Sequence, residues 1–231
     1  MKRKAGNIDY TLVQAVRSSI RLSVSESGDV RVYAPKTMRL RDIDAFVIAH
    51  RADVTAMERK VQQRRAAFEA GHPLADGETL LVMGRPVVLR VSQAARNSAK
   101  LVGDELILAA PQTDRDTLRA LIRKALSEEA LREIRRLLAI YAPALGVNPG
   151  RIAIREQKSR WGSCSDRGNL NFNWKLMLAP PEALEYVVIH ELCHLTEFNH
   201  SARFWRLVES QMPHYEQPKK WLKTNSALLN I

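Results

Sequence analysis

Cysteine is scarce in this chain: two residues in 231, Cys164 and Cys193. That excludes a disulfide framework, and both side chains read as small, semi-buried thiols of a reducing compartment. Long apolar runs are missing too. No stretch approaches the roughly 18 to 20 residues that span a bilayer, so no membrane role is expected. The basic start, Met1-Lys2-Arg3-Lys4-Ala5-Gly6-Asn7, is not followed by the apolar stretch of a secretory signal. No internal repeat, low-complexity tract or recognised nucleic-acid module is evident. These absences lead to the expectation of a cytoplasmic globular protein.

Positive charge is what the chain has in excess, with a formal net charge of +11 spread evenly over its two halves. A uniform excess of that kind supports solubility and weak attraction to polyanions. It keeps nucleic acid open as a partner without indicating it. Apolar residues at 45% and charged residues at 26% are ordinary for a soluble protein with a real core.

Two sections are expected. Residues 1–110 read as β-rich with one helix. Strand patterns cover Tyr10 to Ser25 and Val30-Val32-Ala34, with a turn at Glu26-Ser27-Gly28-Asp29. A helix capped by Thr37 carries Leu40, Ile43, Val47, Val54, Met57 and Val61 at roughly helical spacing. After a loop containing His72, strands are expected at Thr79–Met83, Pro86–Val91 and Leu106–Ala109; neither His50 nor His72 is assigned a role. Residues 111–231 open with a capping box at Thr113 and Asp116, followed by an amphipathic helix or helix pair ending near Pro143 and Gly146. Leu170, Phe172, Trp174, Leu176 and Leu178 then alternate with Asn169, Asn171, Asn173 and Lys175, which predicts one half-buried strand. Pro180, Pro181 and Glu182 suit the first turn of a helix running toward Asn199.

That helix carries His190-Glu191-Leu192-Cys193-His194. Residues four apart lie about 40° from one another around a helix, so both imidazoles project from one face. They can meet one Zn²⁺ at roughly 2.0–2.1 Å each. Glu191, about 60° round from His194, can reach a metal-bound water without being a ligand. This is what a hydrolytic zinc centre requires: an acidified water, a polarised carbonyl and a carboxylate to carry the proton. His200 is the favoured third ligand, brought back by a chain reversal near Asn199, with Glu197 and Glu209 as alternatives. Half of the six histidines thus fall within eleven residues, on or just after an apolar helix. A chance string there would leave costly buried polar groups.

With those residues in view, the sequence resembles the YgjP-like metallopeptidases, relatives of the SprT and Spartan proteases. The resemblance rests on Lys158-Ser159-Arg160-Trp161-Gly162-Ser163-Cys164-Ser165, Asn173-Trp174, Tyr186 to His194, Asn199-His200-Ser201 with Phe204-Trp205, and Trp221-Leu222. Gln157 stands where methionine is expected. The resemblance implies an α+β fold with a zincin-like catalytic domain, in which a small antiparallel sheet lies against the metal-bearing helix. It also implies a substrate cleft lined by Arg160, Trp161, Gly162 and Ser163. An exposed strand edge there can add an extended peptide as a strand, and Gly162 would let its backbone approach closely. Met212 through Tyr215 reads as structural, with Tyr215 a minor candidate for a transition-state donor.

The expected function is a zinc peptidase acting on peptides or proteins. Two alternatives stand beside it, a protease recruited to nucleic acid and a non-catalytic zinc-binding protein. Glu191 argues against the last, because a structural site gains nothing from a general base and normally completes four protein ligands. No motif encodes substrate, specificity or oligomeric state.

Overall fold

Four short strands open the computed structural model, which describes residues 1–25, 28–71, 73–157, 160–229 and 231, without the side chains of 64, 65 and 67–71. Glu26-Ser27 of the first turn, His72, and Lys158-Ser159 of the cleft motif lie outside the described residues. The chain forms two compact units, Met1–Gly71 and His72–Ile231.

In the first unit, β1 (Lys2–Ala5), β2 (Ile8–Ala15), β3 (Arg21–Val24) and β4 (Val30–Pro35) pair in the order β1-β2-β4-β3, with β2 and β4 parallel. The basic start is therefore a strand of a tight hairpin. Gly6 takes a φ of 59° at its turn, which glycine adopts without steric cost. The expected single helix is two, α1 (Leu40–Ala49) and α2 (Arg51–Gly71), broken at His50. Thr37 does not cap; Arg39 holds that position without a side-chain bond. Val30, Val32 and Ala34 point inward as their alternation predicts, onto Ile43, Val47 and Val54. Arg3 pairs with Asp44 at 2.6 Å, and the Tyr10 hydroxyl donates to the same carboxylate at 2.6 Å, tying β1 and β2 to α1.

The second unit begins with β5 (Thr79–Val82), β6 (Arg85–Gln93), β7 (Ser98–Val102) and β8 (Glu105–Ala110), in the order β5-β6-β8-β7 with β6 and β8 parallel. This repeats the topology of the first sheet, which the sequence pattern does not display. The sheet packs on α3 (Arg115–Leu145) through β7 and β8. Sequence patterning divides the chain near residue 110, but these packing partners lie on both sides of that point and within one unit. The α3 cap is Asp114, whose side chain accepts from the Thr117 N–H at 3.0 Å, rather than Thr113. The helix runs unbroken to a left-handed Gly146, with Pro143 inside its last turn.

Three strands follow: β9 (Ile152–Arg155), β10 (Gly162–Cys164) and β11 (Leu170–Asn173). Their order is β10-β11-β9; β10 pairs antiparallel with β11, and β9 pairs parallel to it. The sheet is thus mixed rather than purely antiparallel. The predicted strand over 170–178 stops at Asn173, whose side-chain oxygen accepts from the Lys175 N–H at 3.2 Å. Trp174–Leu178 is a 3-10 turn, with Trp174, Leu176, Met177 and Leu178 all buried. The last helices are α4 (Pro181–Cys193), α5 (Ala202–Gln211) and α6 (Glu216–Asn225). The architecture is α+β, and α4 lies at the centre of its unit, in contact with α3, α5, α6 and β10. Among the described residues, no helix is long and apolar enough to cross a membrane.

Candidate metal centre

Pro181 at the first position and Glu182 in the first turn start α4 as expected. Its buried residues include Leu184, Val187, Val188, Ile189 and Leu192, so the helix is apolar on most of its circumference. Two polar side chains near its end, His190 and Glu191, are therefore placed in an apolar setting. The helix stops at His194, earlier than the predicted run toward Asn199. A turn takes over, with the Thr196 and Glu197 N–H groups donating to the Cys193 carbonyl at 3.1 and 2.9 Å. Ser201 then starts α5, its hydroxyl accepting from the Phe204 N–H at 3.3 Å. The reversal uses no left-handed asparagine; among the described residues, only Leu74 and Met83 are non-glycine residues with positive φ.

This path brings His200 back to α4. The ring centroids of His190, His194 and His200 are 4.8, 4.9 and 4.8 Å apart, close to an equilateral triangle. One ligand nitrogen from each lies within 4.8 Å of the others. Phe204, fully buried, touches all three rings, with centroids at 4.9, 4.6 and 4.7 Å. Neither Glu197 nor Glu209 joins the cluster; the Glu197 carboxylate pairs with Arg203 at 2.9 Å.

The donor set fits a zinc ion. Two nitrogens bound at about 2.0–2.1 Å in tetrahedral geometry sit about 3.3 Å apart, and His190 Nε2 lies 3.0 Å from His200 Nε2. His190 Nδ1 faces the Tyr186 hydroxyl at 3.4 Å, and His194 Nδ1 faces the Glu197 carbonyl at 3.1 Å. With Nδ1–H donating to each oxygen, Nε2 is left as the ligand atom on both rings. Burial, joined by the neighbouring His194, His200 and Lys219, pushes His190 down to about 3. Burial also lowers His194. Both shifts favour the neutral imidazole, the form that binds metal.

Glu191 is 5% exposed, and its Oε2 has no hydrogen-bond partner. Burial pushes its carboxyl up to about 8, opposed by the charge of Arg160. An unpartnered buried carboxyl is costly, so it is not a group that packing alone would retain. Its place depends on Gly162. A Cβ built there would lie 2.5 Å from Glu191 Oε1, so the close approach that this glycine permits is that of the Glu191 side chain itself.

Of the remaining sequence candidates, Gly162 lies against this carboxylate and the charge of Arg160 acts on it. Arg160 is exposed and Trp161 half-buried. Gly162–Cys164 forms β10, an edge strand in contact with α4. The Ser163 hydroxyl accepts from the Asn171 and Gln157 amides at 3.3 and 3.4 Å, which gives it no base. Burial raises the Cys164 thiol, and it pushes Cys193 up to about 12, so both stay protonated. Asn173, unassigned from sequence, is 2% exposed and donates to the Gln157 carbonyl at 2.9 Å. Tyr186 and Phe204 were also missed as site residues. Each stands four positions from a histidine, the same spacing that links His190 to His194.

The chain matches the YgjP-like, metallopeptidase domain family over residues 18–225. It belongs to that family. Comparison with curated proteins finds no match. Among solved structures, this YgjP-like chain is similar to the metallopeptidase zymogen abylysin of Pyrococcus abyssi, at 27% identity and a TM-score of 0.37, covering 39% of this chain and 92% of that one. It is also similar to the metallopeptidase zymogen jannalysin of Methanocaldococcus jannaschii, at 24% identity and a TM-score of 0.36, covering 41% and 96%.

Proposed function

We propose that this YgjP-like protein is a zinc-dependent peptidase with a zincin-type site, in which His190, His194 and His200 hold the metal and Glu191 is the general base. The observation that carries this reading is the cluster of three imidazoles, two of them on or capping the helix that also carries the buried Glu191, whose Oε2 has no hydrogen-bond partner. Three protein ligands rather than four leave an open position, the mark of a catalytic rather than a structural zinc.

Zinc bound there would supply an acidified water and polarise the scissile carbonyl. Glu191 takes a proton from the attacking water and returns it to the leaving amine nitrogen, so the carboxylate is regenerated as the C–N bond breaks. Its apolar surroundings strengthen its hold on a proton, which suits the donating half of that cycle. Arg160 keeps a positive charge near Glu191. Among the described residues no strand covers the outer edge of β10, which suits an extended peptide added beside Gly162–Cys164. Peptides or proteins are the substrate class, and the free Cys164 and Cys193 favour the cytoplasm.

The test measures metal content and cleavage of casein or a peptide library for wild type, His194→Ala and Glu191→Gln. One zinc per chain is expected in wild type and Glu191→Gln, but not in His194→Ala, with cleavage in wild type only. Absence of zinc from every preparation after reconstitution would overturn the reading.

A further inference from the structure

The three proposed ligands are not equally tethered. His190 stands on α4 and His194 caps it, and each engages a protein oxygen through Nδ1. His200 is exposed and follows the turn, and among the described residues its one hydrogen-bonding contact is the other ligand, His190. A metal site requires its ring to be held in a fixed plane, and stacking supplies that restraint.

Trp205 stacks on His200 with ring centroids 5.6 Å apart and planes 26° from parallel. Tyr215 stacks on Trp205 at 5.3 Å and 15°. Tyr186 stacks on Tyr215 at 6.4 Å and 15°, and its hydroxyl meets His190 Nδ1. Since His190 and His200 are themselves 4.9 Å apart, the five rings form a closed circuit. Lys219 of α6 places its ammonium 3.7 Å from the Trp205 centroid and 5.4 Å from that of Tyr215. Faces of aromatic rings attract both a neighbouring ring and a cation. The circuit thus refers the exposed third ligand back to the helix that carries the first.

We propose that Trp205, held by Tyr215, is a positioning residue for His200, so that metal affinity depends on an aromatic stack that donates no ligand atom. The inference rests on the three-histidine reading above, and its test separates the two. Zn²⁺ affinity is measured by competition with a chromophoric chelator, and ligand geometry by the absorption of Co²⁺-loaded protein. The variants are Trp205→Leu, Trp205→Phe, Tyr215→Leu, His200→Ala and the double variant His200→Ala/Trp205→Leu. Circular dichroism checks the fold, which the half-buried position of Trp205 favours keeping.

Trp205→Leu is expected to weaken zinc binding about 10- to 100-fold, as loss of a group supporting a ligand does, and to change the Co²⁺ spectrum. Trp205→Phe restores most of the affinity, and Tyr215→Leu gives a smaller loss. With His200 removed, Trp205→Leu costs much less, since Trp205 then meets the ligands only through its tilted contact with His190 at 6.0 Å between centroids. Wild-type affinity and spectrum in both Trp205→Leu and Tyr215→Leu would overturn the proposal. So would an equal loss with and without His200, which marks a general structural role. A wild-type chain that binds neither metal would remove the three-histidine reading and this inference with it.

Discussion

Glu191 and Gly162 occupy one another's space, and this pairing converts a glycine into part of the proposed machinery. Gly162→Ala puts a methyl where the carboxylate now lies, so one of the two must move. None of the three histidines lies on β10 with Gly162, and their backbone is expected to keep its position. The expected result is a chain that retains its zinc while kcat falls by about 10²–10⁴-fold, the scale of a lost general base. Steady-state kinetics beside metal analysis reads it; a fall in zinc content parallel to activity would place Gly162 in ligand support instead. A second residue-scale case is Asp44. Hydrogen bonds from Arg3 and Tyr10 hold its carboxyl below the ordinary carboxylate range. A depressed carboxylate contributes stability above its unfolded value of about 3.9, and that contribution disappears as pH falls through the folded value. Asp44→Asn should therefore lower the unfolding midpoint of residues 1–71 at neutral pH. The gap to wild type should close in strong acid, as followed by tryptophan-independent far-ultraviolet circular dichroism.

At the scale of elements, legibility followed the range of the interaction. The histidines of α4 were readable because residues four apart on a helix must share a face. The return of His200 was readable only as a need, since the turn is built from backbone bonds to Cys193 and from the Ser201 cap, with no left-handed residue to announce it. Trp174–Leu178 was misread because Trp174, Leu176 and Leu178 alternate as a strand would, while the decisive residue is Asn173, which caps a tight turn. The two matching sheets share no repeated pattern beyond a short likeness where each ends, Ala34-Pro35-Lys36-Thr37 in one and Ala110-Pro111-Gln112-Thr113 in the other, which is too little to mark a repeat. Ser201 gives the element-scale prediction. Its cap starts the helix that carries Phe204 and Trp205. Ser201→Ala should cost about 1 kcal/mol, seen as a melting temperature lower by roughly 2–4 °C. An unchanged melt would mean that packing of Phe204 alone fixes the start of α5.

For the whole molecule the boundary decides which part can stand alone. All four proposed catalytic residues lie in His72–Ile231, and that unit contains its own core. Within it, α3 packs on two groups of elements: β7 and β8 on the N-terminal side in sequence, and α4, β9 and the 3-10 turn on the C-terminal side. Leu118, Leu121, Ile122, Leu126, Ile134 and Leu137 are nearly all removed from solvent by those neighbours. A cut at residue 110 removes one group and exposes apolar surface worth roughly 25 cal/mol per Å², whereas a cut after residue 72 leaves every one of these contacts intact. A chain of residues 73–231 is therefore expected to fold cooperatively and to bind zinc. A chain of residues 111–231 should aggregate or melt without a cooperative transition. Expression of both, with thermal melts and metal analysis, separates the boundaries. A stable, zinc-binding 111–231 would show that the β5–β8 sheet is an accessory to the site rather than part of its foundation.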